Sequence, residues 1–261
     1  MEFKIQTVAD FNAKNEKPDV LFWVGCLGSF DDRAKRITKS IAKLLHHAGV
    51  SFAVLGTEES CTGDPAKRAG NEFLFQMQAM NNIAILNGYG ITKIVTGCPH
   101  CFNTIKNEYP QLGGHYSIMH HTQLLQQLID DGKLKVEGGL FKGKRITFHD
   151  PCYLGRANDE YEAPRSLITK LDAELVEMKR SRSNGLCCGA GGAQMFKEPE
   201  KGAKDINIER TDEALALNPS TIALGCPFCM TMMTDGVKLA NKEQTVAVKD
   251  IAEMIAEALD L

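Results

Sequence analysis

VTGCPHCFNTI, residues 95–105, returns as ALGCPFCMTMM at residues 223–233. In both, a short apolar run delivers a Cys-Pro-x-Cys motif, and the more distant cysteines repeat with it. Cys26, Cys61, Cys98 and Cys101 superpose on Cys152, Cys188, Cys226 and Cys229 with offsets of 126, 127, 128 and 128, and Cys187 is extra. The flanking text agrees, since LFWVGCLG at 21–28 matches ITFHDPCYLG at 146–155. The chain reads as a tandem duplication, and that fixes how every other segment is read.

Each half alternates strand and helix. Apolar, β-rich runs end at the first cysteine of each half (DVLFWVGC, RITFHDPC), and further short runs are SFAVL, KIVTG, AELVEM and TIALG. Between them lie helical patterns. The clearest is RAKRITKSIAKLLHHAG, where Ile37, Ile41, Leu44 and Leu45 share one face and Gly49 stands at the C-cap. A long helix is expected over 66–88 and its counterpart over 206–216, and HYSIMHHTQLLQQLI and TVAVKDIAEMIAEAL close the two halves with a strand and a helix. This alternation predicts an α/β fold, two similar domains each with a mostly parallel sheet flanked by helices. The expected boundaries are an N-terminal extension at 1–18, a first cysteine-rich domain at 19–131, a polar glycine-rich linker at 132–144 and a second cysteine-rich domain at 145–261. FLFQMQAM, Phe73 to Met80, reads as a buried helix stripe. The polar extension up to Lys17 has little reason to pack on the core, so it and the KRSR cluster at Lys179 to Arg182 are candidate docking surfaces.

A formal charge of -3 and a pI near 6.2 exclude a nucleic-acid surface, which needs clustered Lys and Arg. Taken alone, KRSR reads as a solvated loop. The N-terminus lacks an apolar signal region and no stretch reaches the length of a spanning helix, so a cytoplasmic protein is expected, peripheral to the inner membrane face at most. In that compartment nine cysteines stay reduced. Patterned, reduced cysteines point to metal.

All nine cysteines fall at or just after a predicted strand end, the edge where open α/β sheets bind ligands, and should converge as one group per half. Soft sulfur selects zinc, copper(I) or iron–sulfur clusters. Cys152, Cys187, Cys188, Cys226 and Cys229 exceed the four positions of tetrahedral zinc, which favours a multi-iron cluster. Gly189, Gly191 and Gly192 permit positive φ and a nest of N–H groups around an anionic cofactor, and the helix opening near Cys226 aims its dipole at the same place. Other readings stand beside this one. CPHC alone resembles a thioredoxin-like dithiol, Cys26 and Cys61 as inert core thiols are a further reading, and His46, His100, His120, His121 and His149 read as satisfied core or surface histidines rather than ligands.

The spacing of Cys152, Cys187-Cys188 and Cys226-x-x-Cys229, set in HDPCYLGR and CCGAGG, resembles the cysteine-rich CCG domain found in heterodisulfide reductase and in the glycolate oxidase and lactate-utilisation iron–sulfur subunits. The resemblance implies a [4Fe-4S] cluster, noncubane in the second domain, on those five cysteines. It also implies a second cluster or a degenerate site on Cys26, Cys61, Cys98 and Cys101, where Ser60 of ESCTGDP takes the place of Cys187. SCTGDPAKRAGNEFLFQ further resembles membrane-associated iron–sulfur oxidoreductases that link electron-transfer flavoprotein to quinone. Those proteins carry ferredoxin motifs that this sequence lacks, so the expected function is a redox subunit passing electrons between a ferredoxin-domain partner and a disulfide or quinone acceptor. The alternatives are a non-catalytic electron-transfer module and a zinc-binding structural module.

Overall fold

The computed structural model describes residues 4–136, 139–198 and 202–261. In the first half the order is α1 (Val8–Asn12), β1 (Val20–Trp23), α2 (Gly25–Phe30), α3 (Asp32–His47), β2 (Phe52–Ala53), α4 (Asp64–Arg68), α5 (Glu72–Gly88), β3 (Lys93–Thr96), α6 (Pro99–Asn103), β4 (Ser117–His120) and α7 (His121–Asp130). The second half follows with β5 (Arg145–Phe148), α8 (Gly155–Asn158), α9 (Glu162–Lys170), β6 (Glu174–Leu175), α10 (Ile206–Leu215), β7 (Thr221–Leu224), α11 (Pro227–Leu239), β8 (Ala247–Asp250) and α12 (Ile251–Ala258).

The two halves build the same sheet. Both are four-stranded and parallel, in the orders β2-β1-β3-β4 and β6-β5-β7-β8. The chain steps from β1 outward to β2 and then back across to β3, so direction reverses between β1 and β3, and likewise between β5 and β7. Open α/β sheets form their binding crevice at the carboxyl end of that reversal. The central strands are buried on both faces, as VLFW and TIAL require, because helices cover both sides. In α3 the apolar set Ile37, Ile41, Leu44 and Leu45 is buried, Asp31 caps the start by accepting from Ala34 N at 2.7 Å, and Gly49 turns the chain at φ +69° just past the end.

The halves meet through a reciprocal contact. α3 of the first packs on α12 of the second, and α9 of the second packs on α7 of the first. Since α9 corresponds to α3 and α7 to α12, this is the pattern of a two-fold interface, made here within one chain. Arg33 grips Glu253 with two hydrogen bonds of 2.6 and 2.7 Å, and His121 Nε2 meets Asp250 Oδ1 at 2.9 Å with both side chains almost fully buried.

Three expectations need correction. The helix over 66–88 is two helices, because Gly70 at φ +86° breaks the first and Asn71 caps the second by accepting from Leu74 N at 3.0 Å. On α5 only Phe75 and Ala79 of the Phe73–Met80 stretch are buried, while Phe73, Met77 and Met80 point outward. The N-terminal extension does pack on the core: Thr7 bridges Val54 in parallel, Val8 N donates to Val54 O at 2.9 Å, and Val8 is buried. The linker also contributes Leu134 and Phe141 to the core, although residues 137 and 138 lie outside those described, as do residues 1–3 of the extension.

Candidate metal centre

In the second half five thiols form one connected group. Cys229 Sγ lies 3.4 Å from Cys188 Sγ, Cys188 contacts Cys187, Cys187 contacts Cys152, and Cys226 contacts Cys229. The sequence folds this way because each strand end releases its cysteine into the crevice. Cys152 follows β5, the Cys187-Cys188 loop follows β6, and Cys226 caps α11 with Pro227 fixed at its first turn.

Charge within the group concentrates on two sulfurs. Cys187 accepts from the thiols of Cys152 and Cys188 and from Gly189 N at 3.3 Å, which holds it well below the usual thiol range despite burial. Burial works against the Cys226 thiolate, yet the Cys229 thiol, His100 and the Cys229 N–H outweigh it and bring it down to about 5. Cys152 and Cys229, as the donors in these contacts, are pushed up. Of the three glycines expected to cradle a cofactor, Gly189 (φ +92°) and Gly192 (φ +67°) adopt positive φ, joined by Ala193 (φ +62°). Gly191 does not; a side chain there would meet His100 Cε1 at 3.7 Å.

The first half brings Cys26, Cys61, Cys98 and Cys101 together in the same way. The Cys26 thiol leans on Cys61 and Cys101 on Cys98, and Cys101 Sγ lies within 3.3 Å of where a side chain on Gly25 would sit. Cys61 is lowered to about 7, chiefly by the Cys26 thiol.

The structure shifts the equivalence of the two loops by one residue. Gly63 N donates to Cys61 Sγ at 3.5 Å with φ +90°, and Gly189 N donates to Cys187 Sγ with φ +92°. Cys61 therefore matches Cys187, and the buried Thr62 stands where the second half has Cys188. Ser60, expected in the place of Cys187, falls opposite Leu186 and donates to Asn82 Oδ1 at 2.8 Å. The missing fifth thiol belongs at Thr62.

Three histidines read as satisfied side chains turn out to be partnered at the centre or the seam. His100, from the first half's CPHC, pairs with Asp64 Oδ2 at 2.8 Å and reaches across to Cys226 of the second half. Its ring packs, tilted, between Tyr153 and Phe228 at centroid distances of 4.4 and 4.7 Å. His149 is fully buried, and its Nδ1 accepts from Arg210 Nε at 3.0 Å. Burial and then the Arg210 charge hold His149 down to about 3. Among the described residues, His149, Cys188 and Cys229 bring one donor atom each within 4.8 Å of one another. His121 ties the seam to Asp250. No single-sequence signal announces a cross-half contact, although the His in HDPC standing opposite the Trp of FWVGC was visible in the repeat alignment.

KRSR is engaged internally. Arg180 pairs with Glu209 and Glu213 at 2.9 Å, Arg182 N donates to Asp150 Oδ2 at 2.8 Å, and the Arg182 side chain pairs with Glu162. These contacts occupy the arginines of the expected docking rim. No helix among the described residues is long and apolar enough to cross a membrane.

Two similar parallel α/β halves, each gathering several buried and half-buried thiols at its topological switch point, define a cysteine-rich metal-binding class. The profile of the cysteine-rich (CCG) domain family matches residues 20–106 and 146–234, and the chain belongs to that family. It is 47% identical over 257 residues to the probable iron-sulfur-binding oxidoreductase FadF of Bacillus subtilis (strain 168), covering 98% of this chain and 36% of that protein. It is 44% identical over 248 residues to the EtfAB:quinone oxidoreductase of Syntrophomonas wolfei, covering 93% and 34%. Identity to one subunit of the dihydromethanophenazine:CoB--CoM heterodisulfide reductase of Methanosarcina barkeri is 33% over 253 residues, covering 94% and 60%. The chain thus spans about a third of the first two relatives and 60% of the last.

Proposed function

We propose that this chain is an iron–sulfur electron-transfer unit whose second half holds a noncubane [4Fe-4S] cluster on Cys152, Cys187, Cys188, Cys226 and Cys229. The observation that carries the reading is the continuous contact among five thiols, three of them buried and two half-buried, one more than a tetrahedral ion takes. The donor set fits such a cofactor: it is all soft sulfur, it lies at the α11 N-terminus, and the adjoining loop turns through positive φ at Gly189 and Gly192. A bound cluster would supply one-electron chemistry with a potential set by burial and hydrogen bonds to sulfur. The protein's own part is to hold thiolate charge on Cys187 and Cys226, keep water from the buried Cys188, Cys226 and Cys229, and fix the loop. In the first half Cys26, Cys61, Cys98 and Cys101 offer four thiolates for a second, conventional cluster.

The names of the relatives, an EtfAB:quinone oxidoreductase and a heterodisulfide reductase among them, support electron passage between a ferredoxin-type iron–sulfur module and a quinone or disulfide acceptor. A cytoplasmic position at the inner membrane face suits that partner set. Anaerobic purification with iron, zinc and acid-labile sulfide analysis tests the reading. About four iron and four sulfide per complete site are expected; stoichiometric zinc without sulfide refutes it.

A further inference from the structure

His149 sits at the end of β5, three residues before Cys152, with no solvent exposure. Arg210, also fully buried, donates from Nε to His149 Nδ1 at 3.0 Å and is itself held by Arg180 O at 2.7 Å and Glu213 at 3.1 Å. A guanidinium has donors and no acceptors, so the Nδ1 it addresses must carry a lone pair. The ring proton is thereby placed on Nε2. That Nε2 is buried and has no hydrogen-bond partner. Buried polar groups are nearly always satisfied, and an orphan beside a binding centre marks where a bound group belongs. A ring nitrogen of His149 lies within 4.8 Å of the Cys188 and Cys229 sulfurs.

The repeat supplies an independent observation. By strand register Trp23 occupies the matching position at the end of β1, and its indole Nε1, a donor that can never ligate a metal, is likewise buried without a partner. Both halves therefore place an unpartnered buried N–H at the same point of the frame. A metal-ligand role explains His149 alone; a donor role explains both.

Resting on the function proposed above, we propose that His149 is a hydrogen-bond donor to the sulfur of the second-half cluster and not an iron ligand, its proton fixed on Nε2 by Arg210. A donor to sulfur stabilises the more negative, reduced state, so it raises the potential. His149 is thus a positioning residue that tunes the centre.

The test uses the whole chain, purified anaerobically with 15N-labelled histidine, and reads nitrogen couplings by pulsed EPR together with a redox titration. Beside the coupling from His100, which reaches Cys226, the wild type should show a second weak coupling, that of a nitrogen hydrogen-bonded through its proton. His149→Phe should lose that coupling and shift the one-electron equilibrium roughly tenfold toward the oxidised form, about 59 mV lower in potential. His149→Gln should also lose the second coupling and keep that of His100, yet keep most of the potential because it keeps an N–H donor. A strong coupling from directly bonded nitrogen in the wild type, or no histidine coupling beyond that of His100, overturns the proposal even if the variants fail to fold. An unchanged potential in a loaded His149→Phe protein overturns it too. Wild-type protein without iron and sulfide overturns the cluster reading first, and this proposal with it.

Discussion

Asp250 offers a way to measure how tightly the two halves are joined. Its Oδ1 accepts from His121 Nε2 across the seam and from Ala252 N at the start of its own helix, both at 2.9 Å, and the residue is fully buried. Asp250→Asn keeps a good cap and removes the carboxylate from the cross-half bond. That should cost about 1.5–3 kcal/mol, the worth of a hydrogen bond to a charged group. Asp250→Ala removes the cap as well, for about 1 kcal/mol more, and strands the His121 N–H in the interior, for a total of roughly 3–5 kcal/mol. At about 2–4 °C per kcal/mol for a chain of this size, the alanine variant should melt roughly 6–20 °C lower. Anaerobic thermal unfolding, with His121→Phe completing a double-mutant cycle, reads the coupling directly. If Asp250→Asn matches Asp250→Ala, or if the His121 and Asp250 effects simply add, the seam does not depend on this pair and the reasoning fails.

Cys188→Ser should abolish the unusual EPR signal of the five-thiol site while Cys61→Ser leaves it nearly intact; equal loss from both would mean one shared centre. Gly236→Ala should cost about 1–3 kcal/mol in urea unfolding, because its new Cβ would collide with the Thr211 side chain where α10 crosses α11; an unchanged midpoint would show that the helices can part freely. Stability should be full above pH ~6.5 and decline as pH falls through that value. The sign follows from His120 and His149, whose folded pKa values lie below the unfolded one, so the unfolded chain takes up protons first. His120 faces His121 and Phe102, with Asp250 beyond His121, and His120→Asn should flatten the decline seen in urea midpoints between pH 7 and 5.

The strands, their alternation with helices and the gathering of the cysteines were all legible, because each depends on short-range pattern: β-rich runs that end in cysteine, twice over. What escaped depends on contacts far apart in sequence. α5 scatters apolar and polar residues around its whole circumference, so periodicity could not say that Phe73, Met77 and Met80 face outward. The match of Cys61 to Cys187 needed the N–H···S bonds of Gly63 and Gly189, since aligning letters alone pairs Cys61 with the wrong member of the doublet. The N-terminal segment looked too polar to dock, but a two-residue edge strand left Val54 backbone groups open, and Gln6 and Val8 fill them.

The touching rings of His100 and Phe228 occupy corresponding positions in the two Cys-Pro-x-Cys motifs, so they meet where the two-fold relation of the halves maps one onto the other. In a homodimer of identical subunits that place must be filled by two copies of the same residue. Two histidines there would crowd like donors together, and two phenylalanines would leave Asp64 and Cys226 without their partner. Joining the copies in one polypeptide lifts that restriction, and the pair has become unlike: one ring carries the polar contacts and the other supplies an apolar wall. Fusion thus gave the duplicated frame a handedness, with a first and a second half that can no longer be exchanged.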